Sequence, residues 1–321
     1  MQDFDPVAAD AAAGQGDPPP ARRCVLVLNP HSRSAAEARP AVMRALEARG
    51  AELVGGEPQL PQALDGLLAE LGAGDVDRVL VAGGDGTLNC VLRTLMRASV
   101  PVGILPLGTA NDLARGLGLP SDPEAAVEIA LTGPVRPIDV ALVNGAPYVN
   151  VATIGLGPAV TARLTSELKA RLGFLGYPRA LISAYRDSAP FHADITGSGG
   201  QAIRLSCLHI AIGNGRHYGG GAVVRDVARV DDGLLHLIVL KPTPFWRLLL
   251  QAPLVLLGLH RAAPDSVDFD AAEFSIKTRR TRQVSADGEI LAETPADFKV
   301  LPGALSVVVP PEPTGAGLSP R

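Results

Sequence analysis

Over the first 130 residues, short and almost uninterrupted apolar runs alternate with stretches of helical periodicity. Cys24-Val25-Leu26-Val27-Leu28 predicts a buried strand stopped by Asn29-Pro30, and the pattern from about Ala35 to Arg49 predicts a helix closed by Gly50. Arg78–Ala82 predicts another strand, with Thr87–Leu92 opening a helix. Val102–Leu107 predicts the next, followed by a helix from Asn111-Asp112-Leu113-Ala114-Arg115. Apolar strands alternating with helices imply a parallel sheet covered by helices. After Pro134 the rhythm changes. Ile138–Val143 and Tyr148–Ala152 flank an Asn144-Gly145 turn, a hairpin signal. Later strand candidates are Leu205–Ile212, Leu234–Leu240, Glu273–Lys277, Arg282–Ser285 and Leu305–Val309, with helical stretches only near 163–187 and 243–261. The expected fold is therefore an α/β domain over 22–136 and a mostly antiparallel β-sandwich domain over 137–302. Residues 1–21, rich in Ala, Pro, Gly and Asp, predict a disordered lead, and the Pro-rich end after Pro310 a loosely held tail.

Two strand–helix junctions carry glycine: Gly83-Gly84-Asp85-Gly86-Thr87 and Gly108-Thr109-Ala110-Asn111-Asp112. Such junctions aim unpaired backbone N–H groups, and the positive end of a helix dipole, at a bound anion. Two on neighbouring strands make a polyphosphate cradle, which points to a nucleotide. Asp85 conflicts with that anion unless a cation intervenes, and Mg²⁺ between carboxylate, waters and phosphate resolves the conflict. The plainer reading of Asp85, and of Asn111 and Asp112, is helix capping. The spacing is not the GxGxxG of a dinucleotide fold. Only four of the 29 basic residues are lysine, all at or after Lys169. Phosphate binding in the first half must then rest on backbone N–H groups, hydroxyls, arginine and a metal.

Bulk chemistry narrows the partners. A net charge of −4 gives no sign of nucleic-acid binding. Cys24, Cys90 and Cys207 lie far apart without metal or disulfide spacing, which suits a reducing, cytoplasmic setting. No secretory signal is expected. Phe245–Leu259 is strongly apolar but short and interrupted by Arg247, Gln251 and Pro253, so no transmembrane segment is expected. It reads either as a packed helix or as an interfacial contact on the inner face of a membrane. The six histidines show no paired metal spacing; His31, after Asn29-Pro30, is the one near the first strand's end. In the second half, Asp232-Gly233-Leu234-Leu235 and Asp287-Gly288-Glu289 both read as hairpin turns. Turn chemistry does not require Glu289, and a carboxylate there could accept a proton from a hydroxyl.

Asn29-Pro30, GGDGTLN (Gly83–Asn89), PLGTANDLAR (Pro106–Arg115), IGNGRHYGGG (Ile212–Gly221), DGLL (Asp232–Leu235) and DGE (Asp287–Glu289) occur in this order. The chain resembles the diacylglycerol kinase catalytic-domain family, most closely bacterial YegS-like lipid kinases, over about residues 23–310. GGDGT alone is shared with NAD kinases and phosphofructokinases; the other motifs are more specific. The resemblance implies an α/β nucleotide domain to which the tail, 303–321, returns, and a β-sandwich, with ATP and a lipid meeting between them. It implies ATP contacts at Asn29, Gly83, Gly84, Asp85, Gly86, Thr87, Leu88, Asn89, Gly108, Thr109, Asn111 and Asp112, with Asp85 and Glu289 catalytic. Glu289 is the implied proton acceptor. A Mg²⁺ site is implied at the Asp232 carboxylate and the main-chain carbonyls of Arg229 and Leu234. The sequence departs from the family pattern at Arg33 and at Pro58, on the adenosine side. The expected activity is ATP- and Mg²⁺-dependent phosphorylation of a diacylglycerol- or phosphatidylglycerol-like lipid at a membrane surface, with homodimerisation left open. An NAD or long-chain-base kinase on the same scaffold, or a nucleotide-responsive lipid-binding protein without turnover, are the alternatives.

Overall fold

The computed structural model describes residues 22–29, 32–55, 60, 63–71, 74–156, 185, 189–200, 202–215, 228–247 and 265–311. The lead 1–21, His31, Pro58, most of 163–187 and 248–261, and the tail from 312 lie outside them.

The first half is built from β1 (Arg23–Leu28), α1 (Arg33–Ala48), the short β2 (Glu52–Leu53), α2 (Leu64–Glu70), β3 (Arg78–Gly83), α3 (Asp85–Ala98), β4 (Val102–Pro106), α4 (Asp112–Gly116) and α5 (Pro123–Thr132). The strands run parallel in the order β2-β1-β3-β4. Alternate side chains leave a strand on opposite faces. Val25, Val27, Val79, Val81 and Ile104 thus pack on Leu88, Leu92 and Leu95 of α3 and on α2 and α4. Leu26, Leu28, Leu80 and Leu105 face Val42 and Leu46 of α1 and Val127 and Leu131 of α5. Both faces are covered, which explains why the strands are apolar throughout.

Arg78, at the start of β3, is an exception to that apolar pattern. It is buried and donates to the carbonyls of Ala130 (2.7 Å) and Gly133 (3.2 Å), at the carboxyl end of α5. A guanidinium there satisfies carbonyls that the helix leaves open and opposes the negative end of its dipole. Arg78→Met should destabilise the fold by about 2–3 kcal/mol, read as a lower urea midpoint.

The second half contains β5 (Val135–Val143), β6 (Ala146–Tyr148), β7 (Val151–Gly155), β8 (Phe191–Gly197), β9 (Ala202–Cys207), β10 (His209–Gly213) and β11 (Leu235–Leu240). Then come β12 (Ser266–Ala271), β13 (Glu273–Thr278), β14 (Gln283–Ala286), β15 (Glu289–Glu293) and the long β16 (Ala296–Val308). A six-stranded antiparallel sheet, β12-β11-β10-β7-β14-β15, packs on β5, β6, β8, β13 and β16 through a core that includes Tyr148, Ile154, Ile212, Ile276 and Phe298. This is the antiparallel sandwich that the sequence predicts.

Two features depart from expectation. The last strand starts at Ala296, well before the predicted Leu305, and it pairs with β13 and β5 antiparallel and with β4 parallel at Val307↔Val102. One ten-stranded sheet therefore runs through both halves. The predicted strands Tyr148–Ala152 and Leu205–Ile212 are each two strands in different sheets, broken at 149–150 and at Leu208. At the first break the backbone amides turn to a side chain, as described below. The Asn144-Gly145 hairpin forms as predicted, with both residues at positive φ (47° and 80°). Among the described residues, no helix is long and apolar enough to cross a membrane; Phe245–Arg247 are helical.

Candidate active site

The two glycine turns close the carboxyl ends of neighbouring strands and touch each other. Leu107 donates its N–H to the Gly83 carbonyl (3.0 Å). A Cβ on Gly108 would lie 2.5 Å from the Gly84 Cα, so only hydrogen fits between the turns. A Cβ on Gly83 would strike the buried Thr87 side chain at 2.4–2.9 Å. Gly84 is the N-cap of α3 and brings no side-chain cap, while Gly86 and Thr109 are exposed.

Asn111 builds the second turn. At φ 48° its Oδ1 accepts from Gly108 N–H (2.9 Å), while its Nδ2 donates to the carbonyls of Pro106 (3.1 Å) and Gly108 (2.9 Å). Its side chain thus shapes the cradle from within. The hydroxyl of Ser34, in the first turn of α1, donates to the Leu107 carbonyl and ties that helix to the same turn. Beside it opens a cleft of about 670 Å³, lined by Ser34, Leu107, Thr109, Asn111 and Arg115 among others, within the usual range for a small-ligand site. Asn29 directly follows β1 and its carbonyl accepts from Ser32 N–H (3.1 Å). Arg33 begins α1.

Asp85 sits at two helix starts. It is the first residue of α3, and its carboxylate accepts the N–H groups of Asp112 (3.1 Å) and Leu113 (3.4 Å), capping α4 in trans. Helix dipoles favour a carboxylate at that junction. A third donor is Asn150 Nδ2, at 3.2 Å, from the sandwich half. Asp112 is buried, and Leu88 belongs to the core, so any ligand contact from Leu88 runs through its backbone.

Asn150 leads directly to the DGE turn. Asp287, at φ 48°, accepts N–H bonds from Val149 (2.8 Å), Asn150 (3.1 Å) and Val151 (2.9 Å). This is why the predicted strand breaks at 149–150. Asn89, from the first glycine motif, also donates to Asp287. Its own Oδ1 is buried and has no hydrogen-bond partner among the described residues. Burial pushes the Asp287 carboxyl up to about 6, against the pull of those donors. Glu289 follows as the exposed first residue of β15. It lies near enough to Cys90 of α3 that, after burial, its charge is the next cause raising that thiol. The DGE turn therefore packs against the first two turns of α3, which the glycine motif opens.

The Asp287 shift has a sign that can be tested. The native state holds this proton more tightly than the unfolded chain, whose carboxyl titrates near 4. The group's stabilising contribution is therefore complete below about pH 4 and is lost as pH rises through about 6, a change of roughly 3 kcal/mol. The unfolding free energy of wild type relative to Asp287→Asn should increase as pH falls from 7.5 to 5. A pH-independent difference would mean that the buried charge carries no such cost.

The DGLL turn is organised differently. The Asp232 carboxylate accepts N–H groups from Arg229 and Leu234 (both 3.0 Å) and from His236 Nε2 (3.1 Å). His236 Nδ1 contacts Asp270 at 2.9 Å. Carboxylates only accept, so a ring bonded to two of them carries both protons. Burial alone lowers the affinity of His236 for a proton, but the two carboxylates outweigh it and raise the group above its usual range. Three N–H donors thus meet Asp232 where the resemblance implies a cation, and its two oxygens keep further lone pairs with which a hard cation could be held beside main-chain carbonyls. Among the described residues, no group of three metal-ligating side chains occurs. Asp139, buried on β5, accepts from Gly233 N–H (2.7 Å) and Gly303 N–H (2.9 Å) and anchors the turn to both sheets. Asn214, from the IGNG motif, donates to the carbonyls of Asp139 (2.9 Å) and Val149 (3.1 Å). Most of that motif's remainder, 216–221, lies outside the described residues.

Sequence reasoning missed Asn150, Asp139 and His236, and quoted Asn214 in a motif without giving it a role. The one local signal was a polar asparagine within the apolar run Tyr148–Ala152, where a strand would favour β-branched residues.

A parallel sheet with two abutting glycine turns, joined to an antiparallel sandwich, defines a two-part kinase architecture. Residues 23–143 match the model of the diacylglycerol kinase catalytic domain, and residues 151–309 that of the YegS C-terminal NAD kinase beta sandwich-like domain. The chain is 35% identical over 293 residues to a "Probable lipid kinase YegS-like" of Pseudomonas fluorescens, covering 88% of this chain and 92% of that one. It is 38% identical over 247 residues to a protein of the same name from Pseudomonas aeruginosa, covering 72% and 76%. The crystal structure of "a putative diacylglycerol kinase from Bacillus anthracis str. Sterne" superposes with a TM-score of 0.73 at 26% identity, over 95% of this chain and 99% of that one. The chain belongs to the YegS-like lipid kinase family.

Proposed function

We propose that this kinase transfers the γ-phosphoryl group of ATP to a hydroxyl of a diacylglycerol- or phosphatidylglycerol-like lipid. The observation that carries the reading is the hydrogen-bond path from Asp85 through Asn150 to Asp287. It supports one crevice shared by the glycine turns and the DGE turn. The amides of Gly83–Asn89 and Gly108–Thr109 would hold the phosphates, with Asn29 and the adjoining cleft towards the nucleoside. Glu289, exposed across from α3, would accept the proton as the lipid oxygen forms its bond to the γ-phosphorus and the bond to the β-phosphate oxygen breaks. Ile290, 59% exposed beside it, offers an apolar edge to the substrate.

Phosphoryl transfer asks mainly for positioning and charge neutralisation. Asp85 and Asp112 bring oxygen ligands to the phosphate turns, which suits a hard cation that keeps several waters. Mg²⁺ bound with ATP would supply neutralisation of the phosphate charge. We place no step through the Asp232 turn. A lipid presented at an inner membrane face completes the proposal. The test is a panel of dispersed diacylglycerol, phosphatidylglycerol, a long-chain base and NAD⁺, incubated with γ-labelled ATP and Mg²⁺. Label in a glycerolipid supports the reading; label in NAD⁺ or the long-chain base alone replaces it.

A further inference from the structure

The bond from Asn150 to Asp85 has a consequence for catalysis that no glycine or DGE motif supplies. Asn150 is 7% exposed and occupies the break between β6 and β7. Its main-chain N–H is one of three gripping Asp287, and its carbonyl accepts Asn214 N–H at 2.8 Å. Its backbone is thus fixed on both sides to the sandwich half. From that fixed position, Nδ2 reaches Asp85 Oδ1 at 3.2 Å in the nucleotide half. Asp85 faces the crevice through its other donors, the first amides of α4. The two groups that Asn150 bonds, Asp85 on α3 and Asp287 between β14 and β15, are both acidic. Asparagine is suited to the place because it presents a neutral donor to a carboxylate without adding a third charge.

We infer that Asn150 is a positioning residue for phosphoryl transfer: it sets the Asp85 carboxylate and the Asp287–Glu289 turn in register across the crevice. The inference rests on the proposed kinase reaction. Glycine amides hold the phosphates without Asn150, so its loss acts on the alignment of reacting groups more than on nucleotide binding. Misplacement by about 1 Å costs up to about a hundredfold in rate.

The test uses the full chain, Mg-ATP and the lipid that accepts label from the panel. Asn150→Asp keeps the shape and the main-chain bonds but turns the donor into an acceptor facing Asp85. It should lower kcat by about ten- to a hundredfold, with KM for ATP within about twofold and a cooperative thermal transition retained. Asn150→Ser, which withdraws the reach without adding charge, should show the same split and decides the matter if the first variant fails to fold. Unchanged kcat in a folded variant, or KM for ATP rising in step with the loss of kcat, overturns the inference. Glu289→Gln run alongside separates the failures. If Glu289→Gln is inactive while both Asn150 variants match wild type, only the inference on Asn150 falls. If wild type labels no lipid, the kinase reading falls and takes this one with it.

Discussion

Glu289→Gln is expected to lower lipid phosphorylation by about 10²–10⁴-fold, the usual contribution of a positioned proton acceptor. Affinity for Mg-ATP should stay nearly the same, because in the proposed function the glycine turns, not this hairpin, hold the phosphates. The change is isosteric and the side chain is exposed at the start of β15, so the fold should not suffer. Single-turnover labelling and calorimetric titration with Mg-ATP measure the two quantities separately. Unchanged turnover removes Glu289 from the role. Loss of ATP affinity in proportion to rate would instead make it a binding residue. Asp287 is the other carboxyl of the same turn, but its oxygens are already engaged by three backbone amides, which makes it the anchor of the turn.

Gly108→Ala is expected to abolish measurable Mg-ATP binding and to destabilise the fold by about 1–3 kcal/mol, as overpacking does. The new methyl would lie 2.5 Å from the Gly84 Cα and 2.6 Å from Asn111 Oδ1. The first contact is backbone on backbone, so no rotamer change relieves it. The second would push away the amide that closes the turn. Both halves of the phosphate cradle then separate. Gly86→Ala is the informative comparison: a Cβ there meets nothing within 4 Å, and the position is helical. It should leave stability unchanged or raise it by up to about 1 kcal/mol. Urea denaturation and ATP titration of the two variants check the contrast. Similar behaviour of both would show that the contact between the turns is not what the cradle needs.

Much of the molecule is legible in the chain because its determinants are local. Apolar runs such as Arg78–Ala82 and Val102–Leu107 fix strands, and a following glycine turn fixes an exposed helix start, whatever lies elsewhere. The backbone chemistry of Gly83–Thr87 and Gly108–Asp112 is complete within a few residues, so residue order alone marks both as glycine turns between a strand and a helix. The Asn144-Gly145 hairpin is equally self-contained.

Other features depend on partners far along the chain. Tyr148–Ala152 has a strand's composition, yet Asp287, 136–138 positions away, draws off three of its amides and splits it between two sheets. Ser32 and Asp122 announce their helices by local capping, but α4 is capped by Asp85, which precedes it by 27 residues. His236 looks like an isolated histidine until Asp232 and Asp270 close on its ring. Short-range propensity and periodicity thus determined the elements and the glycine turns. Only the tertiary structure decided that the turns abut, that one sheet unites the halves and that Asn150 joins Asp85 to the DGE turn. Those outcomes rest on packing and hydrogen bonds between residues that sequence spacing keeps apart.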